Sequence, residues 1–306
     1  WALKVFGSPA MKKTLSLMGP MIIASSAGQI NVLINTNFAT SLGSGAVTWL
    51  TFSFRLLQLP IGIFAVAIGS ASLPALTRAI TAAGGKADYK SSMEFFKTFE
   101  LMLWFMVPCF TFILCNAQAI ITFVFQHGKF SAMDTIKTTE ALYFYSFGLI
   151  GYGLIKILTA FYYALEKTKF AMKVSLIGIF INFVGNFFLT QHFGHKGLAI
   201  TSSVVLSANA LALLLGLGKE KLTIPKFSLL KGIGILLCGF LVSYHLQEFS
   251  TSLWKNWSFF EHTNYKIQSI ISLSSNGILV ILLFLSLALL RLGRSPQNAL
   301  KLIKKR

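Results

Sequence analysis

The chain has 306 residues, of which 55% are hydrophobic and only 12% are charged, and its mean hydropathy is +0.70. Soluble domains carry about 25% charged residues, so this composition excludes an ordinary soluble fold and indicates an all-α polytopic membrane protein. The formal net charge is +18, but the charges stand at the ends of apolar segments, which argues against a nucleic-acid-binding surface.

Apolar windows bounded by glycine, proline and charge predict about eight transmembrane helices in a single membrane domain. A helix needs about 20 mostly apolar residues to cross the hydrocarbon layer of a bilayer. The predicted spans lie near residues 14–39, 46–77, 93–115, 138–164, 171–190, 197–217, 232–247 and 268–290.

Two segments depart from the simple pattern of one window for one span. The window 46–77 is too long for one straight span and contains Pro60 and Pro74, so we expect a bent or partly extramembrane helix. The apolar stretch 117–125 is too short to cross a bilayer and precedes a polar turn at His127. We therefore expect it to form an interfacial or re-entrant segment.

The Lys and Arg residues alternate in number from one predicted loop to the next. The rich loops hold Lys4, Lys12, Lys13, Arg78, Lys86, Lys90, Lys97, Lys167, Lys169, Lys173, Lys219, Lys221, Lys226, Lys231 and the tail from Arg291 onward. The poor loops hold Lys129, Lys137, Lys196, Lys255 and Lys266. Because cytoplasmic loops are enriched in Lys and Arg, both ends of this chain are expected in the cytoplasm.

Arg55 and Lys156 are the two cations predicted to lie at membrane depth. A charge there costs at least about 2.5 kcal/mol on insertion scales, so both are candidates for function. Helical spacing places Thr51 and Gln58 on the face of Arg55, and Tyr152 on the face of Lys156. These two polar faces predict a shared aqueous cavity.

Asparagines could extend that cavity. Asn31 and Asn35 lie one turn apart in the first span, and Asn182 and Asn186 do so in the fifth. Two interpretations stay open, since such residues either line a cavity or hydrogen-bond helices to each other. Asn31, Asn35 and Thr36 also offer oxygens to a monovalent cation, but the prediction is weak because no carboxylate accompanies them.

The missing carboxylates suggest the ligand. No acidic residue falls within the predicted hydrocarbon layer, and a cavity with uncompensated positive charge favours an anion. Guanidinium groups bind phosphate oxygens through two parallel hydrogen bonds, so Arg55 suits a diphosphate. The His and Cys residues lack metal-ligand spacing. We therefore expect neither a metal, nor a cofactor, nor an enzymatic reaction.

Several short motifs occur in order along the chain. They are Gln29-Ile30-Asn31, Ile34-Asn35-Thr36, Arg55-Leu56-Leu57-Gln58-Leu59-Pro60 followed by Gly62, Leu73-Pro74, Phe125-Gln126-His127-Gly128-Lys129-Phe130, Lys156 ahead of Tyr162-Tyr163-Ala164-Leu165, and His195-Lys196-Gly197-Leu198-Ala199. With these motifs the chain resembles the MurJ (MviN) lipid II flippase family of the MOP transporter superfamily over essentially its whole length.

The resemblance implies a fourteen-helix transporter with two lobes around a cationic cavity. This chain resembles the second lobe, helices seven to fourteen, without the first. Arg55 and Lys156 match the family's cavity arginine and lysine, and residues 232–290 resemble the pair of helices beside a lipid-tail groove. The chain departs from the family at Phe54 and Gln58, where the family commonly has carboxylates, and this makes its cavity more basic.

The hypothesis is a flippase that moves lipid II, the undecaprenyl-diphosphate-linked peptidoglycan precursor, across a bacterial inner membrane by alternating access. The alternatives are a flippase for another polyprenyl-linked oligosaccharide, a MATE-like exporter, a membrane enzyme of lipid-linked sugar metabolism, and an inactive scaffold lobe. The exporter is disfavoured because it would more often need a buried carboxylate. Expected partners are lipid II or a similar lipid, membrane lipids and cell-wall synthesis proteins.

Overall fold

A computed structural model describes residues 9–218, 226–255 and 265–291, and all regular structure in them is helical. The α-helices, in chain order, are α1 Pro9–Thr40, α2 Ala46–Pro60, α3 Ala67–Ala82, α4 Tyr89–Phe125, α5 Ala132–Ser146, α6 Gly148–Ala164, α7 Thr168–Phe193, α8 His195–Leu217, α9 Lys226–Lys255 and α10 Tyr265–Arg291. The charges predicted for the cytoplasm at Lys4, Lys219, Lys221 and beyond Arg291 lie outside the described residues.

The ten described α-helices correspond in order to the eight predicted spans, because α2 with α3, and α5 with α6, each match one span. Among the described residues, seven helical stretches are long and apolar enough to cross a membrane, counting Ala46–Ala82 as one. Helices α5 and α6 meet at a bend of 44° and qualify together as an eighth span. The prediction of an all-α polytopic membrane protein with about eight spans is therefore confirmed.

The second span is longer than predicted and is interrupted by a π-helical segment. Between α2 and α3 the backbone forms a π-helix over Ile61–Val66. Proline has no N–H and its ring crowds the carbonyl four residues earlier, so Pro60 disturbs the α-helical hydrogen bonds just before this segment. The π-helical segment thus follows Pro60 directly, within the span where a bend was predicted.

The third span is followed by a helical stretch that a kink separates from it. The kink lies at Asn116, whose φ and ψ are −117° and 15°, and residues 117–125 continue α4 beyond it. The interfacial or re-entrant position of this stretch stays a prediction. The Asn116 side chain donates a hydrogen bond of 2.9 Å to the carbonyl of Phe112 in its own helix. Side chains that compete with the backbone in this way bend helices.

The described residues divide into two compact units. The first contains the chain up to residue 102 and residues 140–218, and the second contains residues 103–139 and the described residues from 226 onward. In the first unit α7 packs against α1 and α8, while α6 packs against α8, α3 and the π-helical segment. In the second unit α9 packs against α10.

A buried cluster of neutral polar side chains joins three helices of the second unit. Asn116 of α4 donates 2.6 Å to the side-chain oxygen of Gln247 in α9, and Asn276 of α10 donates 2.7 Å to the side-chain oxygen of Asn116. Gln247 donates 3.0 Å to Ser243 within α9. Hydrogen bonds of this kind hold helices together in the apolar interior of a membrane protein.

Candidate functional site

The first unit contains a cavity of about 410 Å³. Its wall is formed by α1, α2, α5, α6, α7 and α8. All of the residues predicted to bind substrate lie on this wall, together with Thr36: Asn31, Asn35, Thr51, Arg55, Gln58, Tyr152 and Lys156. The structure thus brings together polar residues that are spread over more than a hundred positions of the sequence.

Helix α2 presents one polar face to the cavity. Thr51, Arg55 and Gln58 line it, while Leu57 on the other side of the helix is 1% exposed. Arg55 and Gln58 are both exposed. Their position follows from the steps of three and four residues that return to the same side of a helix.

Lys156 reaches the cavity from α6 and is half-buried. Its Nζ lies 5.2 Å from the centre of the Tyr152 ring, at the distance of a cation–π contact. Helix α3 approaches closely here, because a Cβ atom on Gly69 would lie 3.4 Å from the Cβ atom of Lys156. The small residue therefore lets α3 pack beside the lysine stem.

The cavity is positively charged. Neither Asp nor Glu occurs among the described residues that line it. Neither Arg55 nor Lys156 forms an ion pair with a carboxylate in the described part of the chain. Since charges interact more strongly where the surroundings are less polar than water, an anion entering this cavity would be attracted to both cations.

The two asparagines of α1 play different roles in the structure. The Asn35 amide donates 2.8 Å to Ser202 of α8 and its oxygen accepts 2.6 Å from Asn186 of α7, so both ends of this side chain tie helices together. Asn31 Oδ1 is buried without a hydrogen-bond partner. Asn31 thus lines the cavity with one hydrogen-bond acceptor unused, whereas Asn35 is held by its neighbours.

Several cavity residues could not be identified from the sequence. Gln29 lies in one of the motifs and Tyr145 follows the spacing of the Lys156 face, so each had a weak signal. Phe54 was noted only as a departure from the family beside Arg55, and Ser202 had no signal, because a serine in an apolar span is ordinary. The tertiary packing brings them to the wall, where the Phe54 ring lies 5.7 Å from the ring of Tyr145.

The described residues contain no group of three or more His, Cys, Asp or Glu side chains placed to hold a metal ion. Glu140 in the middle of α5 pairs with two residues at the start of α8, Lys196 at 2.8 Å and His195 at 3.3 Å. There the lysine, which binds no metal when charged, already neutralises the carboxylate. What the cavity offers chemically is positive charge and hydrogen bonds.

Comparison with known proteins agrees with these features. The probable lipid II flippase MurJ of Buchnera aphidicola subsp. Schizaphis graminum is 30% identical over 292 residues, covering 93% of this chain and 55% of the relative. A solved structure of lipid II flippase MurJ in the inward closed conformation superimposes with a TM-score of 0.75 at 22% identity, over 93% of this chain and 56% of that one.

The fold is shared more widely. A MATE crystal structure in the bent conformation matches with a TM-score of 0.61 at 15% identity, over 81% of this chain and 55% of that one. The chain spans about half the length of the curated relative and of these solved structures. The sequence model of the family described as lipid II flippase MurJ matches residues 3–289. The chain therefore belongs to the MurJ lipid II flippase family.

Proposed function

We propose that this chain supplies the cationic, substrate-binding part of a flippase that moves lipid II across a bacterial inner membrane. The observation that carries the proposal is the cavity of the first unit, where Arg55 and Lys156 face open space without a carboxylate. The ligand that such a cavity favours is an anion, and lipid II carries a diphosphate. No bond is made or broken, so the protein acts as a transporter.

Each of the cavity residues has a proposed role in binding the head group. Arg55 binds the diphosphate oxygens through its planar guanidinium, and Lys156 adds a second positive charge. Gln58, Thr51, Tyr152 and Asn31 supply hydrogen bonds to polar groups of the head group. At about 410 Å³ the cavity has the size of a small-molecule site, which is room enough for the diphosphate, and the polyprenyl tail stays in the lipid.

The proposed orientation has both ends of the chain in the cytoplasm. Lys13 of α1 pairs with Glu166, in the turn between α6 and α7, at 2.7 Å. Both residues were predicted on the cytoplasmic side of the membrane, and their contact supports the proposed membrane topology. Cell-wall synthesis proteins remain predicted partners.

The decisive experiment is a lipid II transport assay with the full-length protein in proteoliposomes. Arg55→Ala removes the charge-assisted hydrogen bonds to the diphosphate, so transport should fall at least about tenfold. Arg55→Lys keeps the charge without the planar fork and should retain part of the activity. Arg78→Ala is the matched control, because Arg78 is exposed on α3 and does not line the cavity.

A normal transport rate for Arg55→Ala would refute the proposed role of the cavity. The same proteoliposomes also separate the related alternative. If another undecaprenyl-diphosphate-linked saccharide is moved and lipid II is not, the diphosphate site is correct and the assigned sugar is wrong.

A further inference from the structure

The bend between α5 and α6 is held by hydroxyl groups. The last four carbonyls of a helix have no partner within that helix, and α5 ends at Ser146. The single hydroxyl proton of Ser203 in α8 is shared between two of these carbonyls in a bifurcated hydrogen bond, at 2.7 Å for Phe144 and 3.3 Å for Tyr145. Ser146 donates 2.7 Å to a third, that of Tyr143. The interrupted span is therefore stabilised from a neighbouring helix.

Two glycines bring α6 directly against the same part of α8. A Cβ atom on Gly148 would lie 3.0 Å from the Cα atom of Ser203, and one on Gly151 would lie 3.0 Å from the carbonyl oxygen of Leu206. Because α6 starts at Gly148, its first two turns rest on the α8 backbone. The Ser203 hydrogen bonds and this close packing together fix the direction in which α6 leaves the bend.

The direction of α6 determines where Lys156 lies. Lys156 is eight residues beyond Gly148, which is roughly 12 Å along a helix axis. A change of only about 10° in the bend would therefore move Lys156 by about 2 Å. Such a shift is comparable to the difference between a hydrogen bond and no contact.

We infer that Ser203 is a positioning residue for Lys156, acting through the bend between α5 and α6. This inference rests on the proposed function, in which Lys156 binds a diphosphate. Ser203 does not line the cavity, so its effect on the ligand passes through the lysine. Arg55 lies on α2, which receives neither of the contacts that Ser203 makes with α5, so it should be affected less.

The first test measures the position of residue 156 directly. In full-length protein with all native cysteines replaced, Lys156→Cys is labelled with a charged, water-soluble methanethiosulfonate, with and without Ser203→Ala. The labelling rate should change at least about threefold, as expected from the loss of one interhelical hydrogen-bonding group. Labelling of Arg55→Cys should stay within about twofold, since α2 is not held by Ser203.

Two further variants serve as controls for this measurement. Ser72→Ala removes a hydroxyl of similar burial whose 2.9 Å bond stays inside α3, and it should leave the labelling of Lys156→Cys unchanged. Gly151→Ala pushes α6 away from α8 without touching Ser203, and it should alter the labelling even if Ser203→Ala fails to fold. Unchanged labelling with Ser203→Ala, or an equal change at Arg55→Cys, would overturn the inference.

The second test measures binding of geranylgeranyl diphosphate to the full-length protein. Ser203→Ala should weaken binding roughly threefold to tenfold, and Lys156→Ala should weaken it more. In the Lys156→Ala background, Ser203→Ala should have almost no additional effect, because both act through one side chain. Fully additive losses would contradict positioning. Normal binding by Lys156→Ala would instead refute the proposed function, and the labelling result would still decide the inference.

Discussion

The two units contain contrasting groups of polar side chains. In the second unit, Asn116, Gln247 and Asn276 are neutral, at most 3% exposed, and bonded mainly to one another. In the cavity of the first unit, Arg55 is charged and exposed, and Lys156 is charged and half-buried. Both groups occur within membrane spans, yet the first is satisfied by protein and the second faces open space.

This difference separates packing from binding. A neutral amide cluster can satisfy most of its hydrogen bonds internally, and in the second unit Asn276 Oδ1 is the acceptor left over. A cation without a nearby carboxylate is not compensated by the protein, so its charge must be stabilised by water or by a ligand. Polarity alone is therefore a poor guide to a site in a membrane protein, whereas charge combined with access is a good one.

The largest effect is expected when a charge is introduced into the buried amide cluster of the second unit. Asn276→Asp would place a carboxylate in a buried cluster, opposite the oxygen that now accepts from Asn276. The variant should lose at least about 2.5 kcal/mol of stability at neutral pH. Thermal unfolding of the purified full-length protein, followed by size exclusion, measures this loss.

Gln58→Glu is the matched control, since it makes the same change from amide to carboxylate beside Arg55 in the cavity. Gln58 is exposed, so its stability should change by no more than about 0.5 kcal/mol. If the two variants lost equal stability, the buried amide cluster and the exposed cavity residues would not differ in how they tolerate a charge.

A smaller effect is expected when members of the buried amide cluster are replaced by apolar residues. Asn116→Leu leaves the Gln247 oxygen and the Asn276 amide without their partner, and should cost about 1–2 kcal/mol. Gln247→Leu should cost somewhat less, because Asn116 keeps its bonds to Phe112 and Asn276. The double variant should be more stable than the sum of the two losses predicts, because the Gln247 oxygen is then no longer left without its donor, although the Asn276 amide still is. Strict additivity in thermal unfolding would contradict a shared network.

The sequence predicted the spans because hydropathy and helix length are local properties. It did not show where polar residues continue a helix past the predicted span, as at α3, which runs to Ala82. It could not distinguish a kink from an end at Asn116, since both begin with a polar residue after an apolar run. The structure places a kink there because the asparagine bonds to its own helix and to two others.

The same distinction applies to the cavity. Steps of three and four residues predicted that Thr51, Arg55 and Gln58 share a face, because periodicity fixes which side chains point the same way. Periodicity does not say which helices meet, so Ser202 and Phe54 were not predicted. Nor could it divide the roles of Asn31 and Asn35, which depend on the partners that α7 and α8 provide.

The smallest effect is expected at a polar group that is fully exposed to water. Asp88 precedes α4 and accepts a 2.8 Å hydrogen bond from the backbone N–H of Ser91, while its own N–H donates 2.9 Å to the Ser91 hydroxyl. The bond from the Ser91 backbone, followed by the Ser91 side chain, lowers the pKa of Asp88 below its ordinary value of 3.8. This capping contribution is therefore present above that value and is lost as the pH falls through the lowered pKa.

Asp88→Ala should unfold a few degrees below the parent at neutral pH, and the difference should shrink below about pH 4. Asp88→Asn accepts the same bond without titrating, so its Tm difference from Asp88→Ala should not depend on pH. A difference between parent and Asp88→Ala that persists unchanged to about pH 2 would show that the carboxylate charge does not contribute to the cap.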